Sequence, residues 1–561
     1  MSYDANPRYP VVGGAVESGF KPLATEIARE RPRVLAIDGP AALPWEAFVT
    51  SLSAALAAYD VAVLLEDARD FFAPWTEVER RTAATVLPRD PVFARIFDGD
   101  LAELVDGPRH ELPAHGGTTV LFGPGSALQP HDRLWYADIP KWLSLERIHE
   151  GIAGNVGQPV GEAGSEQRLL FVDWPMLDRH KQALLPRIAR YVDLGQFEGP
   201  HSLEGEALRA SLQTLAGRPF RVRPTFLPGP WGGQWLRRTL GIATDAPNLA
   251  WSYELITPES VLLLGGDEAV GVGFELLMAA ASEQILGPDV ATRFGASFPI
   301  RFDYLDTLEG GHLSIQCHPS EQYARDVFGI SYTQHETYYV VDTTPGAKVF
   351  LGLREDADLD AFREAAESAE RSGIPFDPER FLQAHPAEQH RLYLIPGGTP
   401  HASGAGNLVL EVSATPYLYT LRFYDWLRRN LDGELRPVHL AHAFANVDPT
   451  RRGEAVKRDL VQDPVVKAAG SGFTELGLGE LDELFFGVDR LDFESEVTVE
   501  TQGRFHVLNL VAGEEVTVET ERGDVHPLSY AETLVIPASV GSYRLERRRG
   551  PACKVVKAFV K

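Results

Sequence analysis

The N-terminal part of the chain alternates short apolar runs with an amphipathic stretch. Apolar runs typical of buried strands lie at 33–39, 61–67, 118–128, 132–138 and 168–174. Between the first two runs, residues 44–59 have the apolar spacing of a helix with proline at its start. Strands that alternate with helices predict a parallel sheet. We therefore expect an α/β domain with a parallel sheet over residues 1–220.

The pattern changes near residue 223. From there, short strands are broken by glycine, proline, aspartate and asparagine, a pattern typical of β-sandwiches and barrels. Two stretches with helical spacing, 271–286 and 356–373, interrupt these strands. The sequence predicts an all-β domain over residues 221–430 that carries helical inserts.

The C-terminal part, residues 431–561, begins with a partly helical connection and continues as strands. The alternating stretches 505–520 and 531–546 are expected to pair with each other in a second small barrel. The predicted fold class is therefore multidomain. It comprises an N-terminal α/β parallel-sheet domain followed by an all-β double-barrel module with helical inserts.

Charge and composition narrow the range of possible functions. The formal net charge of −26 disfavours binding to nucleic acid or to an anionic membrane surface. The two cysteines, Cys317 and Cys553, are too few for a disulfide framework or a thiolate metal site. The start of the chain has neither the basic segment nor the apolar run of a signal peptide, and no apolar stretch is long enough to span a bilayer. We expect a cytoplasmic enzyme.

Candidate metal ligands lie in the first predicted barrel. In "LSIQCHP", Gln316 and His318 occupy alternate strand positions and therefore point to the same face. Glu336 begins another strand in "HETYYVVD", and His401 follows a glycine-bearing turn in "IPGGTPHASGAG". Two imidazoles, a carboxylate and an amide oxygen suit Zn²⁺, with Fe²⁺, Mn²⁺ or Co²⁺ as substitutes. Spacing alone does not establish the site, because a single histidine in a barrel is more often hydrogen-bonded than metal-bound.

A family resemblance strengthens this hypothesis. The segments "PWGGQWL", "NLAWSYELI", "FPIRFDYLDTLEGGHLSIQCHPSEQYA", "HETYYVVD", "YLIPGGTPHASGAGNLVLEVS" and "TLRFYDW" occur in this order between residues 225 and 430. They resemble the class I mannose-6-phosphate isomerases, which are zinc enzymes of the cupin fold. Residues 500–546 are similar to the second cupin domain of that family.

The resemblance implies roles for particular residues. One zinc ion per chain is expected on Gln316, His318, Glu336 and His401. Arg422 and Glu411 are the expected catalytic residues, with Glu411 the candidate for proton transfer, and Ser314 is expected on the substrate side. The implied reaction interconverts mannose 6-phosphate and fructose 6-phosphate through a cis-enediol. His312 and His335 are alternative candidates for the base.

The chain departs from this family at two positions. Lysines that flank the family's site correspond here to Asp303 and Gln334. Loss of a charge-assisted contact to a phosphate costs about 1.5–3 kcal/mol. Either Arg301 and Arg422 hold the phosphate instead, or the substrate is a free or differently modified sugar. Arg301 and Gln334 are therefore candidate substrate-binding residues.

The N-terminal domain resembles uridine-kinase-like P-loop enzymes in "VLAIDGPAALPWEAF" and "LLEDARDFFAP". A working loop ends in Gly-Lys-Ser/Thr, but these positions hold Pro44, Trp45 and Glu46. The domain is therefore expected to lack kinase activity and to serve in packing, oligomerisation or ligand sensing.

Two further hypotheses are kept beside the isomerase. One is a non-catalytic sugar-binding regulator, which fits the missing lysines and the altered loop but gives no reason to keep the whole ligand set. The other is a cupin dioxygenase, which the glutamine ligand disfavours because such sites use more histidines. The expected partner is a small-molecule sugar or sugar phosphate, with no nucleic acid or membrane partner, and the sequence does not specify an oligomeric state.

Overall fold

The computed structural model describes residues 3–88, 90–106, 116–257, 259–414, 417, 419–431 and 433–561. The chain divides into two compact units. The α/β unit comprises Arg8–Leu215 and Val261–Ala281, and the β unit comprises Met1–Pro7, Ala216–Ser260 and Ser282–Lys561. No helix within the described ranges has the length and apolar character needed to cross a membrane. The predicted multidomain architecture is confirmed, and the predicted boundaries at 220 and 430 stay a prediction.

The α/β unit is built on a seven-stranded sheet. Its segment up to Leu215 contains the strands β1 (Arg8–Tyr9), β2 (Glu17–Ser18), β3 (Val34–Asp38), β4 (Val63–Asp67), β5 (Thr118–Phe122), β6 (Arg133–Asp138), β7 (Arg190–Asp193) and β8 (His201–Glu204). Its helices are α1 (Phe20–Glu30), α2 (Trp45–Leu56), α3 (Trp75–Arg81), α4 (Lys141–His149), α5 (Glu166–Arg168), α6 (Trp174–Leu184) and α7 (Gly205–Leu215). The sheet order is β2-β8-β7-β6-β3-β5-β4, and β3 to β7 run parallel.

The prediction of a strand at residues 168–174 is wrong. Leu169–Asp173 form a π-helical turn that joins α5 to α6. The Ser165 side chain caps the start of this helix by accepting a hydrogen bond from Arg168 N. A short apolar run fits a buried strand and a buried helix equally well, and here the run continues as the apolar face of α6.

The loop after β3 closes around the carboxylate of Asp38. This fully buried side chain accepts hydrogen bonds from the backbone N–H groups of Gly39 (2.8 Å), Gly125 (3.2 Å) and Ala127 (2.8 Å). His180 Nε2 lies 3.0 Å from its second oxygen. One carboxylate therefore ties the end of β3 to the turn that follows β5 and to α6.

The first barrel of the β unit consists of two facing sheets. Its strands are β9 (Thr225–Leu227), β10 (Trp251–Leu255), β13 (Arg301–Asp306), β14 (Ile315–Cys317), β15 (Glu336–Thr343), β16 (Lys348–Leu353), β17 (Leu382–Pro386), β18 (Leu392–Ile395), β19 (His401–Ser403), β20 (Asn407–Ser413) and β21 (Leu421–Tyr424), and the hairpin strands β11 (Val261–Gly265) and β12 (Ala269–Gly273) lie between β10 and β13 in the chain. One sheet has the order β18-β15-β20-β13-β10-β9 and the other β17-β16-β19-β14-β21. The hairpin β11–β12 lies in the α/β unit, where β11 pairs with β1.

Five helices lie between the strands of residues 225–424, and the sequence predicts two of them. They are α8 (Trp235–Leu240), α9 (Phe274–Leu286), α10 (Pro288–Phe294), α11 (Glu321–Tyr323) and α12 (Leu359–Ser372). The predicted inserts at 271–286 and 356–373 correspond to α9 and α12. In α12 the Asp358 side chain caps the N-terminus and Gly373 ends the helix in a left-handed conformation.

The second barrel has an apolar interior. It follows α13 (Leu440–Asn446) and α14 (Gly453–Leu460) and contains β22 (Val465–Gly470), β23 (Phe473–Gly477), β24 (Phe486–Phe493), β25 (Glu496–Glu500), β26 (His506–Ala512), β27 (Glu515–Thr520), β28 (Val525–Ser529), β29 (Thr533–Ile536), β30 (Ser542–Arg549) and β31 (Cys553–Val560). The predicted pairing of 505–520 with 531–546 is confirmed, since β26 pairs with β29 and β27 with β30. The largest cluster of buried side chains in this barrel is apolar and consists mainly of leucine and valine.

We predict that Asp38→Ala lowers the free energy of unfolding of the α/β unit by at least about 3 kcal/mol. The substitution leaves three buried N–H groups without an acceptor, and each such group costs about 1–3 kcal/mol. Urea unfolding and amide hydrogen exchange of residues 123–127 measure the effect. The exposed Asp60→Ala is the control, and equal stability of the two variants would contradict the prediction.

Candidate metal centre

Three buried side chains converge inside the first barrel. His318 Nε2 lies 2.5 Å and His401 Nε2 lies 3.2 Å from Glu336 Oε2. The candidate ligand atoms of the three residues all lie within 4.8 Å of one another. Among the described residues, this is the one group of three or more His, Cys, Asp or Glu side chains with that geometry.

Strand pairing places these residues. Glu336 is the first residue of β15, in the sheet that faces β14 and β19. Gln316 on β14 lies directly opposite His401 on β19, and His318 follows two residues after Gln316. His318 and His401 both reach Glu336, and Gln316 shares the strand face of His401, its directly paired residue.

The two imidazoles are oriented as metal ligands. His401 Nδ1 lies 2.8 Å from the carbonyl oxygen of Thr399, and His318 Nδ1 lies 3.3 Å from that of Tyr419. A proton on Nδ1 of a neutral ring leaves a lone pair on Nε2, which then faces the Glu336 carboxylate. Two lone pairs directed at a carboxylate repel it unless a cation lies between them. The three residues therefore fit a divalent metal.

The pKa shifts agree with this arrangement. Burial holds the pKa of His318 below its usual value, which favours the neutral ring despite the nearby Glu336. Burial opposes ionisation of Glu336 as well, but positive charge and donated hydrogen bonds from the His401 and His318 rings would hold the pKa of this carboxyl well below its usual value, and a cation between neutral rings would stabilise the carboxylate in the same way. Glu336 Oε1 and His401 Nε2 are buried and make no hydrogen bond within the described part of the chain, so each is available to a ligand.

Gln316 lies at the edge of this group. Its Oε1 accepts a hydrogen bond from Ser314 Oγ at 2.8 Å. The bond fixes the orientation of the amide of Gln316, which is directly paired with His401 across the two strands. The structure thus brings Ser314 next to the fourth predicted ligand.

A second polar cluster lies on the inner face of the opposite sheet. Arg301 Nη2 lies 3.2 Å from Asp303 Oδ1 and 3.0 Å from Glu411 Oε1. The same Glu411 oxygen accepts hydrogen bonds from Ser413 Oγ (2.8 Å) and Gln334 Nε2 (3.2 Å). Glu411 therefore contacts two of the three predicted substrate-binding residues, Arg301 and Gln334.

Strand register explains why this cluster adjoins the metal ligands. Asp303, Glu411 and Tyr338 are directly opposite one another on β13, β20 and β15. Tyr338 lies two residues after Glu336 and therefore shares its face. Burial, with Asp303 and Glu336 as neighbouring carboxylates, raises the pKa of Glu411 well above its usual value, although Arg301 opposes the shift. Burial also raises the pKa of Asp303 to about 6.

Arg422 lies apart from Glu411, on the other sheet. It is directly opposite Gln316 on β21. Its Nη1 donates to the carbonyl oxygen of Pro437 at 3.3 Å, and its buried Nε has no hydrogen-bond partner among the described residues. Burial and the nearby Arg436 lower the pKa of Arg422 to about 10. The two predicted catalytic residues therefore approach the centre from opposite sheets.

The alternative bases have structural partners. His312 stacks on Trp426 at 4.5 Å between ring centroids, and its Nδ1 accepts from Ala405 N. His335 Nδ1 accepts from Gly397 N, and its Nε2 lies 3.5 Å from Glu321 Oε1. These contacts give both residues a role in holding loops.

Sequence reasoning missed Tyr338. Its ring lies 5.7 Å from that of His401 between centroids, and its buried hydroxyl makes no hydrogen bond within the described part of the chain. The signal was present in "HETYYVVD", because Tyr338 alternates with Glu336 on one strand.

Comparisons with known proteins agree with this geometry. Mannose-6-phosphate isomerase ManA of Bacillus subtilis (strain 168) is 23% identical to the chain over 256 residues, which are 45% of this chain and 73% of that protein. The probable mannose-6-phosphate isomerase GmuF of the same organism is 27% identical over 255 residues, 45% of this chain and 74% of that protein. About half of the chain is homologous to cupin-type mannose-6-phosphate isomerases.

The solved structure of mannose 6-phosphate isomerase from Bacillus subtilis has the same cupin fold. It superposes with a TM-score of 0.50 at 20% identity and covers 61% of this chain and 99% of that one. A family model described as a domain of unknown function (DUF8485) matches residues 19–217. That match names no P-loop, so the resemblance of the N-terminal domain to P-loop kinases is not confirmed.

We predict that the wild-type protein binds one equivalent of Zn²⁺ and that His401→Ala weakens binding by more than about 100-fold. Loss of an outer partner of a ligand already costs about 10–100-fold, and loss of the ligand itself costs more. Calorimetric titration of the chelator-treated protein measures the affinity. The control is His526→Ala in the second barrel, and unchanged zinc affinity of His401→Ala would contradict the assignment.

Proposed function

We propose that this chain is a metal-dependent aldose–ketose isomerase that acts on the mannose–fructose pair. The reaction is the one in the names of the relatives, which are mannose-6-phosphate isomerases. The observation that carries the proposal is the buried His–Glu–His group next to a carboxyl of raised pKa, inside a barrel of the cupin fold. We place the activity in the domain predicted at 221–430.

The proposed cofactor is one Zn²⁺ ion, held by Gln316, His318, Glu336 and His401. This set of nitrogen and oxygen ligands suits zinc. A bound zinc ion would supply Lewis-acid polarisation of a sugar carbonyl. The hydrogen bonds from Nδ1 of the two histidines keep their Nε2 atoms directed at the ion.

Glu411 is the proposed group that moves a proton between C1 and C2 of the sugar. Three donors, Arg301, Ser413 and Gln334, already contact its Oε1, so Oε2 is the oxygen assigned to transfer. Its raised pKa suits a group that must both accept and return a proton near neutral pH. Arg301 and Gln334 hold this carboxyl in place.

Arg422 is proposed to contact the substrate from the other sheet. Its position beside Gln316 and its buried Nε without a partner within the described part of the chain support this role. A guanidinium there can hold sugar oxygens while Glu411 acts from the opposite side.

For the α/β unit we propose no kinase activity. The loop after β3 lacks the lysine and the hydroxyl that a P-loop uses. The contacts of Asp38 with Gly125 and Ala127 support a packing role for this loop.

We expect Glu411→Gln to lower kcat by about 10²–10⁴ while zinc is still bound, because it removes general acid–base catalysis. Proton NMR in D₂O measures conversion and the entry of deuterium at C1 or C2, and metal analysis measures zinc. The control is the exposed Glu388→Gln. Activity within a few-fold of wild type in Glu411→Gln would assign the proton transfer to another group.

A further inference from the structure

The hydroxyl group of Tyr338 is buried inside the first barrel without a partner. The side chain is fully buried, and its hydroxyl makes no hydrogen bond within the described part of the chain. A buried tyrosine hydroxyl usually has a partner, because a polar group taken out of water without a new hydrogen bond costs free energy. A phenylalanine would fill the same space without this cost. The hydroxyl therefore needs a reason other than packing.

The other fully buried tyrosines of the same sheet have partners. The hydroxyl of Tyr339, the next residue on β15, lies 2.9 Å from His390 Nδ1. On the neighbouring strands, the hydroxyl of Tyr393 donates to a backbone carbonyl oxygen at 2.7 Å, and that of Tyr304 donates to an asparagine oxygen at 2.7 Å. Tyr338 is the exception in a sheet that otherwise satisfies its buried phenols.

The position of Tyr338 brings it beside the groups of the proposed reaction. It lies two residues after Glu336 on the same strand face and is directly opposite Glu411 on β20. Its ring lies at 78° to that of His401, with 5.7 Å between the centroids. Burial and the nearby Glu336 raise the pKa of Tyr338 well above its usual value, so the hydroxyl keeps its proton and is able to donate it in a hydrogen bond.

The neighbouring carboxyl groups leave this donor unused. Glu411 Oε1 already contacts Arg301 and accepts hydrogen bonds from Ser413 and Gln334. Glu336 Oε1 is buried and, like the Tyr338 hydroxyl, makes no hydrogen bond among the described residues. A sugar whose reacting carbons lie at Glu411 would bring oxygen atoms next to Tyr338, and both a carbonyl and a hydroxyl oxygen can accept a hydrogen bond.

From these contacts we propose that Tyr338 is a further catalytic residue, whose hydroxyl donates a hydrogen bond to a sugar oxygen on C1 or C2. These are the carbons between which Glu411 is proposed to move a proton. Removal of a proton from carbon places negative charge on the adjoining oxygens, and a donor already in position stabilises that charge. Tyr338 keeps its own proton throughout. The inference rests on the proposed isomerase function and adds a residue to it.

The first test is the activity of Tyr338→Phe in the zinc-loaded full-length protein. Proton NMR follows conversion of mannose 6-phosphate and of mannose, and it gives kcat and KM for whichever sugar the wild-type protein converts. We expect kcat to fall by about 10²–10³-fold, the loss typical of one donor to a developing oxyanion, with little change in KM. A kcat equal to that of the wild type overturns the inference and leaves the proposed function standing.

Stability separates this role from a structural one. We expect the urea midpoint of chelator-treated Tyr338→Phe to equal or exceed that of the wild type, because the substitution breaks no hydrogen bond of the protein. The matched control is Tyr339→Phe, which loses the contact with His390 and is expected to have a lower midpoint and an unchanged kcat. A lower midpoint or failure to fold in Tyr338→Phe would reveal a partner within the protein and overturns the inference.

Zinc affinity separates contact with the substrate from support of a metal ligand. Calorimetric titration is expected to give Tyr338→Phe a zinc affinity close to that of the wild type. A loss of about 10–100-fold, the range for an outer partner of a ligand, would assign Tyr338 to holding Glu336 or His401 and overturns the catalytic role. If the zinc-loaded wild-type protein converts neither sugar, the proposed function itself fails and the inference fails with it.

Discussion

The structure of the first barrel depends on one buried carboxylate, Glu336, placed against two imidazole nitrogens. Each of these groups is costly to bury alone, because a charge or a polar atom loses its hydration inside a protein. Strand pairing brings them together: β14 and β19 hold Gln316 opposite His401, and β15 presents Glu336 from the facing sheet. The backbone carbonyls of Thr399 and Tyr419 then fix the rings. A metal ion resolves the repulsion that this arrangement otherwise contains.

The two barrels of the β unit have similar strand content and different interiors. In the first, polar side chains on β13, β15 and β20 form a row that ends at the candidate metal centre. In the second, leucine and valine occupy the corresponding space. The chemistry therefore belongs to one barrel, and the other contributes a packed core. Within the first barrel, one guanidinium, that of Arg301, contacts both Asp303 and Glu411 beside Glu336.

Much of the β unit could be predicted from the sequence because alternation along a strand fixes which residues share a face. Gln316 with His318 and Glu336 with Tyr338 follow directly from this rule, although Tyr338 was not singled out. The ion pair of Arg301 with Asp303 joins two alternate positions of one strand, whereas its pair with Glu411 could not be predicted, since it depends on the register between β13 and β20, two strands that are about 100 residues apart in the chain. The placement of Arg422 and Glu411 on different sheets could not be predicted either, because it also depends on which strands pair.

The α/β unit shows where local patterns are insufficient. The run at 168–174 is apolar enough for a strand, but its continuation into the apolar face of α6 makes it helical. The hairpin β11–β12 lies far along the chain and pairs with β1, a long-range contact for which the sequence carries no local signal. The ends of a helix are easier to predict, because the residues that end it act on the backbone next to them, as Asp358 and Gly373 do at the two ends of α12.

The most direct measurement is X-ray absorption at the zinc edge on the zinc-loaded wild-type protein. The expected spectrum shows the scattering of two imidazole rings at about 2.0–2.1 Å together with oxygen ligands and no sulfur. A spectrum with oxygen neighbours alone, or with a sulfur shell from Cys317, would contradict the assignment of His318, Glu336 and His401 as the metal centre.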